Sequence, residues 1–515
     1  MKERSRTEYS LINMFTGMVG DVINTLVGFA CRIVFVRMLG SEYLGVRGLF
    51  TNILSVLSLA ELGIGSAIIY ALYKPIAEKD QDKITAIIQY YKKAYAVIGL
   101  VVAALGLAAL PFLDQIIRTK PDIKESIYLI YLLYLLNSVL SYFFSYRASL
   151  LTASQRQYIV QGYNYVVTIL QSILQILFLL LTHEYLTYLI IQIIGSLSYN
   201  IWISNKAARD YPFIKNKNTV PLSSDEKRSL FINIRALAIN KVSGVLVNST
   251  DNIAITYFNG LSSVGLASNY TILSSMVGSM IGLVFNALPG SVGNLNATSS
   301  EEERYRFFNI LYLMNFWLFG WGAIGIALVS TDLVKVLYGP EYELPFRIPF
   351  IIALNSFSIG MLQAVYTYKS TLGLFRYGQF LLFFTGFINL ALDVILGRKY
   401  GVFGIFLATL IARASTNLWY EPYAVYRYGL KRSPCIYWKR YVFCILILSL
   451  AGGLSFLLCW MCRFTLAVNA VVKFLICCIV PNAVFFFFFR KTPELSYLKG
   501  TATRIIKKLS RKAKI

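Results

Sequence analysis

Several ionisable side chains of this chain stand inside stretches that are otherwise apolar enough to be buried in a bilayer. Gly17, Asp21, Thr25, Gly28 and Arg32 recur at helical spacing and share one face, flanked by Asn24. Arg47 and Glu61 return to nearly one face of the next apolar stretch, together with Ser58 and Gly65. Lys241, Asn248 and Asn252 share a further face with Asp251 at its edge; Arg235 lies shortly before them, and Arg413 and Asn417 are helical neighbours near the other end. Charges at membrane depth are costly, so they face a cavity or pair with one another. The cations Arg32, Arg47, Arg235, Lys241 and Arg413 outnumber the acids Asp21, Glu61 and Asp251. Surplus positive charge in a dry interior suits an anionic ligand, and the guanidinium fork matches phosphate. The competing reading is internal ion pairing, Asp21 or Glu61 with Arg32 or Lys241. The same acids are also candidates to carry a coupling proton or cation. Asn24, Asn248, Asn252 and Asn417 would line the cavity as neutral polar groups.

Enzyme chemistry has little to stand on. The single histidine, His183, falls at a short turn with no Cys/His/acid cluster beside it, so neither a metal site nor a cofactor is expected. Six of the seven cysteines lie in the C-terminal fifth. Cys459 and Cys462 form a C-x-x-C inside apolar sequence without a second pair, which reads as small buried hydrophobes.

The elements that position these residues are membrane helices. The chain has 515 residues, 57% of them hydrophobic, and a mean hydropathy of +0.60. That is far too apolar for a soluble protein. About fourteen apolar runs are each long enough to cross a hydrocarbon core of roughly 30 Å as a helix. They lie near 11–36, 46–72, 94–113, 126–150, 158–181, 185–204, 230–257, 263–289, 307–330, 346–371, 378–397, 402–425, 440–462 and 466–489. The basic start, Met1 to Ser10, runs into a full-length span without a small-residue cleavage site, which predicts no cleavable signal peptide.

The net charge of +24 raises the question of nucleic acid, and its placement answers it. With the N-terminus in the cytoplasm, about 34 Lys/Arg fall on the cytoplasmic side and about 11 outside, the positive-inside pattern. Both termini are therefore expected in the cytoplasm, and nucleic acid is not an expected partner. The basic tail from Lys499 to Ile515, interspersed with Ile505, Ile506 and Leu509, is expected to be a helix drawn to anionic membrane lipids, with a solvated disordered tail as the alternative reading.

The chain also repeats itself. Ile12 to Ser58 returns gap-free as Ile232 to Gly278, with Gly40 and Gly45 meeting Gly260 and Gly265. An even number of spans separates the copies, so both insert the same way and the repeat is parallel. The register superposes Asp21 on Lys241, Gly28 on Asn248 and Arg32 on Asn252. The expected fold is an all-α integral membrane protein: two parallel six-helix pseudo-symmetric lobes plus two C-terminal helices. Residues 1–205 would form the first lobe, 206–229 a cytoplasmic linker, 230–428 the second lobe, 429–490 the two additional spans and 491–515 the tail. The patterns Ser223-Ser-Asp-Glu226 and Ser299-Ser-Glu-Glu302 predict capping boxes at helix starts.

At Leu39 to Asp80, LGSEYLGVRGLFTNILSVLSLAELGIGSAIIYALYKPIAEKD resembles the first-to-second span region of Wzx-type polysaccharide flippases, in the multidrug/oligosaccharidyl-lipid/polysaccharide exporter superfamily. LVKVLYGPEYELP, Leu333 to Pro345, is similar to that family's outward connection after the ninth span. The resemblance implies movement of an undecaprenyl-diphosphate-linked oligosaccharide between leaflets of the bacterial cytoplasmic membrane, by alternating access around a cationic cavity. It also implies working contact with polysaccharide polymerase or export machinery. Two other readings stay open: a cation-coupled multidrug exporter of the same superfamily, and a lipid II flippase. A membrane glycan polymerase or glycosyltransferase fits less well, since no large outward loop or cytoplasmic acid cluster is visible.

Overall fold

The structure is a computed structural model that describes residues 6–500 except 59–63, 118–120, 155, 217–221, 224–249, 287, 289–291, 293–294, 296–298, 375–376 and 379. Every regular element among the described residues is helical, and ten helical stretches are long and apolar enough to cross a membrane. One of these, Leu381–Gly429, holds two expected spans, because its first helix turns back at Gly401 (φ 61, ψ −140). The helices Ser41–Leu57 and Ile64–Glu78 flank residues 59–63 in the expected second span. The chain divides into two compact units, residues 1–265 and 266–515. It is a multi-pass, all-α membrane protein.

In the first unit, Arg6–Leu39 packs along Gln157–Thr182, which packs in turn on Tyr185–Asp210. Without hydrophobic drive between helices in lipid, close approach of backbones does this work, and small residues permit it. A Cβ on Gly20 would stand 1.9 Å from the Tyr165 ring, so only glycine lets that ring lie across the first helix. Ile127–Ser145 bridges Gln81–Ala109 and Tyr185–Asp210, and Phe35, Tyr131, Tyr134, Tyr185 and Tyr188 are buried among these helices. Gln157–Thr182 ends on His183 in the left-handed conformation (φ 55), which gives the lone histidine a helix-ending position.

In the second unit the helix Glu301–Tyr338 is the pillar. Its 38 residues span about 57 Å at 1.5 Å per residue, far more than the bilayer core. It starts at a capping box formed by Ser300 and Glu303, one residue later than the Ser299/Glu302 pattern predicts. The chain there uses the second serine because its Oγ, 3.3 Å from the Glu303 N–H, is the one that reaches the N3 donor. The expected box at Ser223 to Glu226 extends into residues outside those described. Arg347–Gly360, Pro434–Trp460 and Leu466–Phe489 pack around the pillar, the last through Trp317 Nε1 donating to Asn482 Oδ1 at 2.6 Å.

Candidate functional site

The repeat meets itself in the first unit, and there the two copies have the same backbone. Gly40 (φ 87) and Gly260 (φ 84) both take a left-handed conformation. Gly40 N–H donates to Val36 O at 2.9 Å and Gly260 N–H to Thr256 O at 3.0 Å, the same bond displaced by one repeat. Helices end at Leu39 and Asn259 and begin again at Ser41 and Leu261. The corner is closed by reciprocal contact: a Cβ on Gly45 would lie 2.0 Å from Leu261 O, and one on Gly265 would lie 2.2 Å from Ser41 O. The Oγ atoms of Ser41 and Ser262 are 3.1 Å apart. Beside it, Tyr43 donates to Glu125 and accepts from Lys124 N–H at 3.2 Å. Burial and the Glu125 carboxylate push the Tyr43 phenol up to about 12, so it stays a donor at neutral pH.

The helix Thr250–Asn259 packs on Ser41–Leu57 and brings Asn252 close, with Nδ2 3.9 Å from where a Cβ on Gly48 would stand. Asp251 is half-buried on the same helix. On Arg6–Leu39, Asp21 accepts a hydrogen bond from the Tyr165 hydroxyl at 2.8 Å, while Asn24 and Arg32 are half-buried. Arg47 has a setting of its own. Its Nη1 donates to the Tyr188 hydroxyl at 2.9 Å, and the guanidinium lies 5.8 Å from the centres of both the Phe35 and Tyr188 rings. Among the described residues its charge is thus held by a phenol and π faces rather than by a carboxylate. Glu61, Arg235, Lys241 and Asn248 lie outside the described residues.

In the second unit, half-buried Arg413 stands near the end of the Leu381–Ser415 helix. Buried Asn417 accepts from Thr385 Oγ1 at 3.3 Å, and Thr385 and Thr416 share a hydroxyl contact of 2.8 Å. One group went unread in the sequence. Asn389 Nδ2 donates to Asp393 Oδ1 at 3.2 Å and to Thr409 Oγ1 at 3.3 Å, and all three are buried. An aspartate in this setting is a candidate carrier of a proton or a monovalent cation. The signal was present as Asn389-x3-Asp393, one helical turn apart in an apolar run. Ion pairs such as Lys369–Glu421 at 2.7 Å and Lys473–Asp332 at 2.5 Å also emerge only in the structure. Each joins helices far apart in sequence, where spacing carries no signal.

No protein-family model matches the chain, and no curated protein matches its sequence. Solved structures do match. The backbone is similar to that of the lipid II flippase MurJ in an inward closed conformation, with a TM-score of 0.68 and 14% identity, over 92% of this chain and 98% of that one. A MATE-family multidrug resistance transporter of the MOP superfamily in an inward-facing conformation gives 0.56 at 15% identity, over 79% of this chain and 95% of that one. The Vibrio cholerae MATE transporter VcmN gives 0.53 at 15% identity, over 82% and 96%. The fold is that of MurJ and the MATE transporters. At these identities the likeness concerns the fold, and the Wzx-type resemblance has no counterpart among the sequence comparisons.

Proposed function

We propose that this protein is a flippase that carries an undecaprenyl-diphosphate-linked oligosaccharide from the inner to the outer leaflet of the bacterial cytoplasmic membrane, for surface polysaccharide synthesis. The observation that carries the reading is Arg47. A guanidinium is charged at every physiological pH, and among the described residues its partners are two neutral rings and one hydroxyl. Its field therefore remains available to a phosphate, whereas an arginine neutralised by a carboxylate would offer little. Arg32, Arg235, Lys241 and Arg413 are the other proposed headgroup cations. The glycan would travel by alternating access through a hydrated cationic cavity, with the polyprenyl tail left in the bilayer.

A second reading, a cation-coupled multidrug exporter, is favoured by Asp21 on Tyr165 and by Asp393 on Asn389, since acidic groups recognise cationic drugs and coupling ions. In the flippase reading the same acids couple transport to a proton or cation gradient. Lipid II shares the lipid diphosphate, so only the glycan separates that substrate from the one proposed.

The test is a deletion strain assayed for surface polysaccharide and for lipid-linked repeat units by leaflet. Loss of surface polymer with repeat units trapped on the inner leaflet is expected. Normal export, together with new sensitivity to cationic drugs, would transfer the assignment to the multidrug reading.

A further inference from the structure

The first unit contains a second polar feature that the headgroup does not need. A cavity of about 370 Å³ lies among the helices Ser41–Leu57, Ile127–Ser145, Gln157–Thr182 and Tyr185–Asp210. Fifteen residues line it; all but Leu54, Val167 and Gly195 carry a hydroxyl or an amide, and none carries a charge. Exposed Thr51 and Asn164 stand at its rim, and buried Asn200 in its wall.

Polar side chains inside a membrane lobe can act as interhelical glue, and then they interlock. Part of the wall does so: Tyr134 and Tyr185 join hydroxyls across two helices at 3.0 Å, whereas Asn200 Nδ2 donates within its own helix to Ser196 O at 2.9 Å. Glue closes the space between helices, however, and here the space is open. The side-chain carbonyl oxygen of Asn137 is buried in this wall without a hydrogen-bond partner among the described residues. Buried acceptors left in that state await a donor, from water or from a ligand.

We infer that this cavity is a subsite for a neutral sugar ring of the carried glycan, an inference that rests on the flippase reading. Sugar hydroxyls donate and accept at once, which is what side-chain amides and hydroxyls match. The lining also includes the aromatic side chains of Tyr134 and Tyr199, a residue type that packs on the C–H side of a pyranose. The volume stands at the lower end of the roughly 300–1,000 Å³ usual for ligand sites, room for a sugar ring and not for a whole repeat unit. A wall without positive charge cannot compensate a buried carboxylate, so an acidic sugar is disfavoured.

The test uses saturation-transfer NMR on the full-length purified protein in detergent, with N-acetylglucosamine, methyl glucoside and glucuronate as probes and farnesyl diphosphate as the headgroup probe. Transfer to the neutral sugars is expected, with glucuronate weaker. Affinity should fall about tenfold in Asn137→Leu/Gln192→Leu, each residue having lost a hydrogen-bonding amide. Val167→Phe, which fills the cavity and removes no polar group, should abolish sugar binding as well. Farnesyl diphosphate should bind wild type and both variants alike, which also reports that they are folded. Sugar transfer that is absent in the wild type, or equal in wild type and both variants, overturns the subsite. Wild-type protein that binds neutral sugar but not farnesyl diphosphate supports the subsite and removes the flippase reading instead.

Discussion

Gly45 and Gly265 occupy the same place in the two copies of the repeat, and each meets the other copy's backbone: Gly45 against Leu261 O, Gly265 against Ser41 O. Isologous contact of this kind is what a twofold relation produces, because residue i touches j and j's counterpart touches i's. The parallel repeat inferred from spacing is therefore also an interface between its own two copies at this corner.

A first expectation concerns how this corner opens. A methyl at 2.0 Å from a carbonyl oxygen cannot be accommodated without moving a helix, at a cost of about 1–3 kcal/mol per site. Gly45→Ala and Gly265→Ala should each part the corner. The measurement is a disulfide between Ser41→Cys and Ser262→Cys, whose native Oγ atoms are 3.1 Å apart. The pair should cross-link readily in the parent and several-fold less in either alanine background. In the flippase reading the cross-link should stop export and reduction should restore it. Equal cross-linking in all backgrounds would mean that the contact does not hold the corner shut.

Arg47 allows its charge and its shape to be tested apart. Arg47→Ala removes both and should cut export at least tenfold at equal protein level. Arg47→Lys keeps the charge and loses the planar fork that lies on Phe35 and Tyr188, so an intermediate loss is expected. Tyr188→Phe removes the hydroxyl acceptor alone, a loss of about 1–3 kcal/mol at the bond to a charged donor, and should be the mildest. Export unchanged in Arg47→Ala would reduce the residue to packing.

Much of this architecture was legible beforehand, for reasons of chemistry rather than of similarity. Leu466–Phe489 has the expected bounds because an uninterrupted apolar run in lipid must close all its backbone hydrogen bonds internally. The repeat sets Gly40 and Gly260 at matching positions, but their left-handed conformation is visible only in the structure. Side-chain partnerships were not legible. That Arg47 rests on aromatic rings, or that Lys473 seeks Asp332, depends on which helices become neighbours, and local spacing is silent on that. Asp393 is inconspicuous in the sequence for a different reason: one acid in a run of leucines and phenylalanines barely changes its hydropathy.

Asp393 gives the coupling idea a sharp form. Asp393→Asn keeps the shape and the contact with Asn389 while removing the charge that would bind a proton or cation. Export or substrate uptake in vesicles should lose its dependence on an imposed proton or sodium gradient, with the protein still inserted. Asp21→Asn provides the comparison, since its Tyr165 hydrogen bond survives the change. If gradient dependence persists in Asp393→Asn and vanishes in Asp21→Asn, the coupling group is in the first unit.

The Lys473–Asp332 pair should behave as a buried ion pair that fastens Leu466–Phe489 to the pillar helix. Its side chains are 19% and 9% exposed, so each charge depends on the other for compensation. Removing one partner from such a pair costs about 3–5 kcal/mol, whereas replacing both by apolar groups of similar size can be close to neutral. Lys473→Met alone and Asp332→Leu alone should each lower the thermal unfolding temperature of the purified protein. The double variant Asp332→Leu/Lys473→Met should recover most of that loss. Losses that simply add in the double variant would show that the two charges are stabilised independently, and that the C-terminal helices are held by their apolar faces alone.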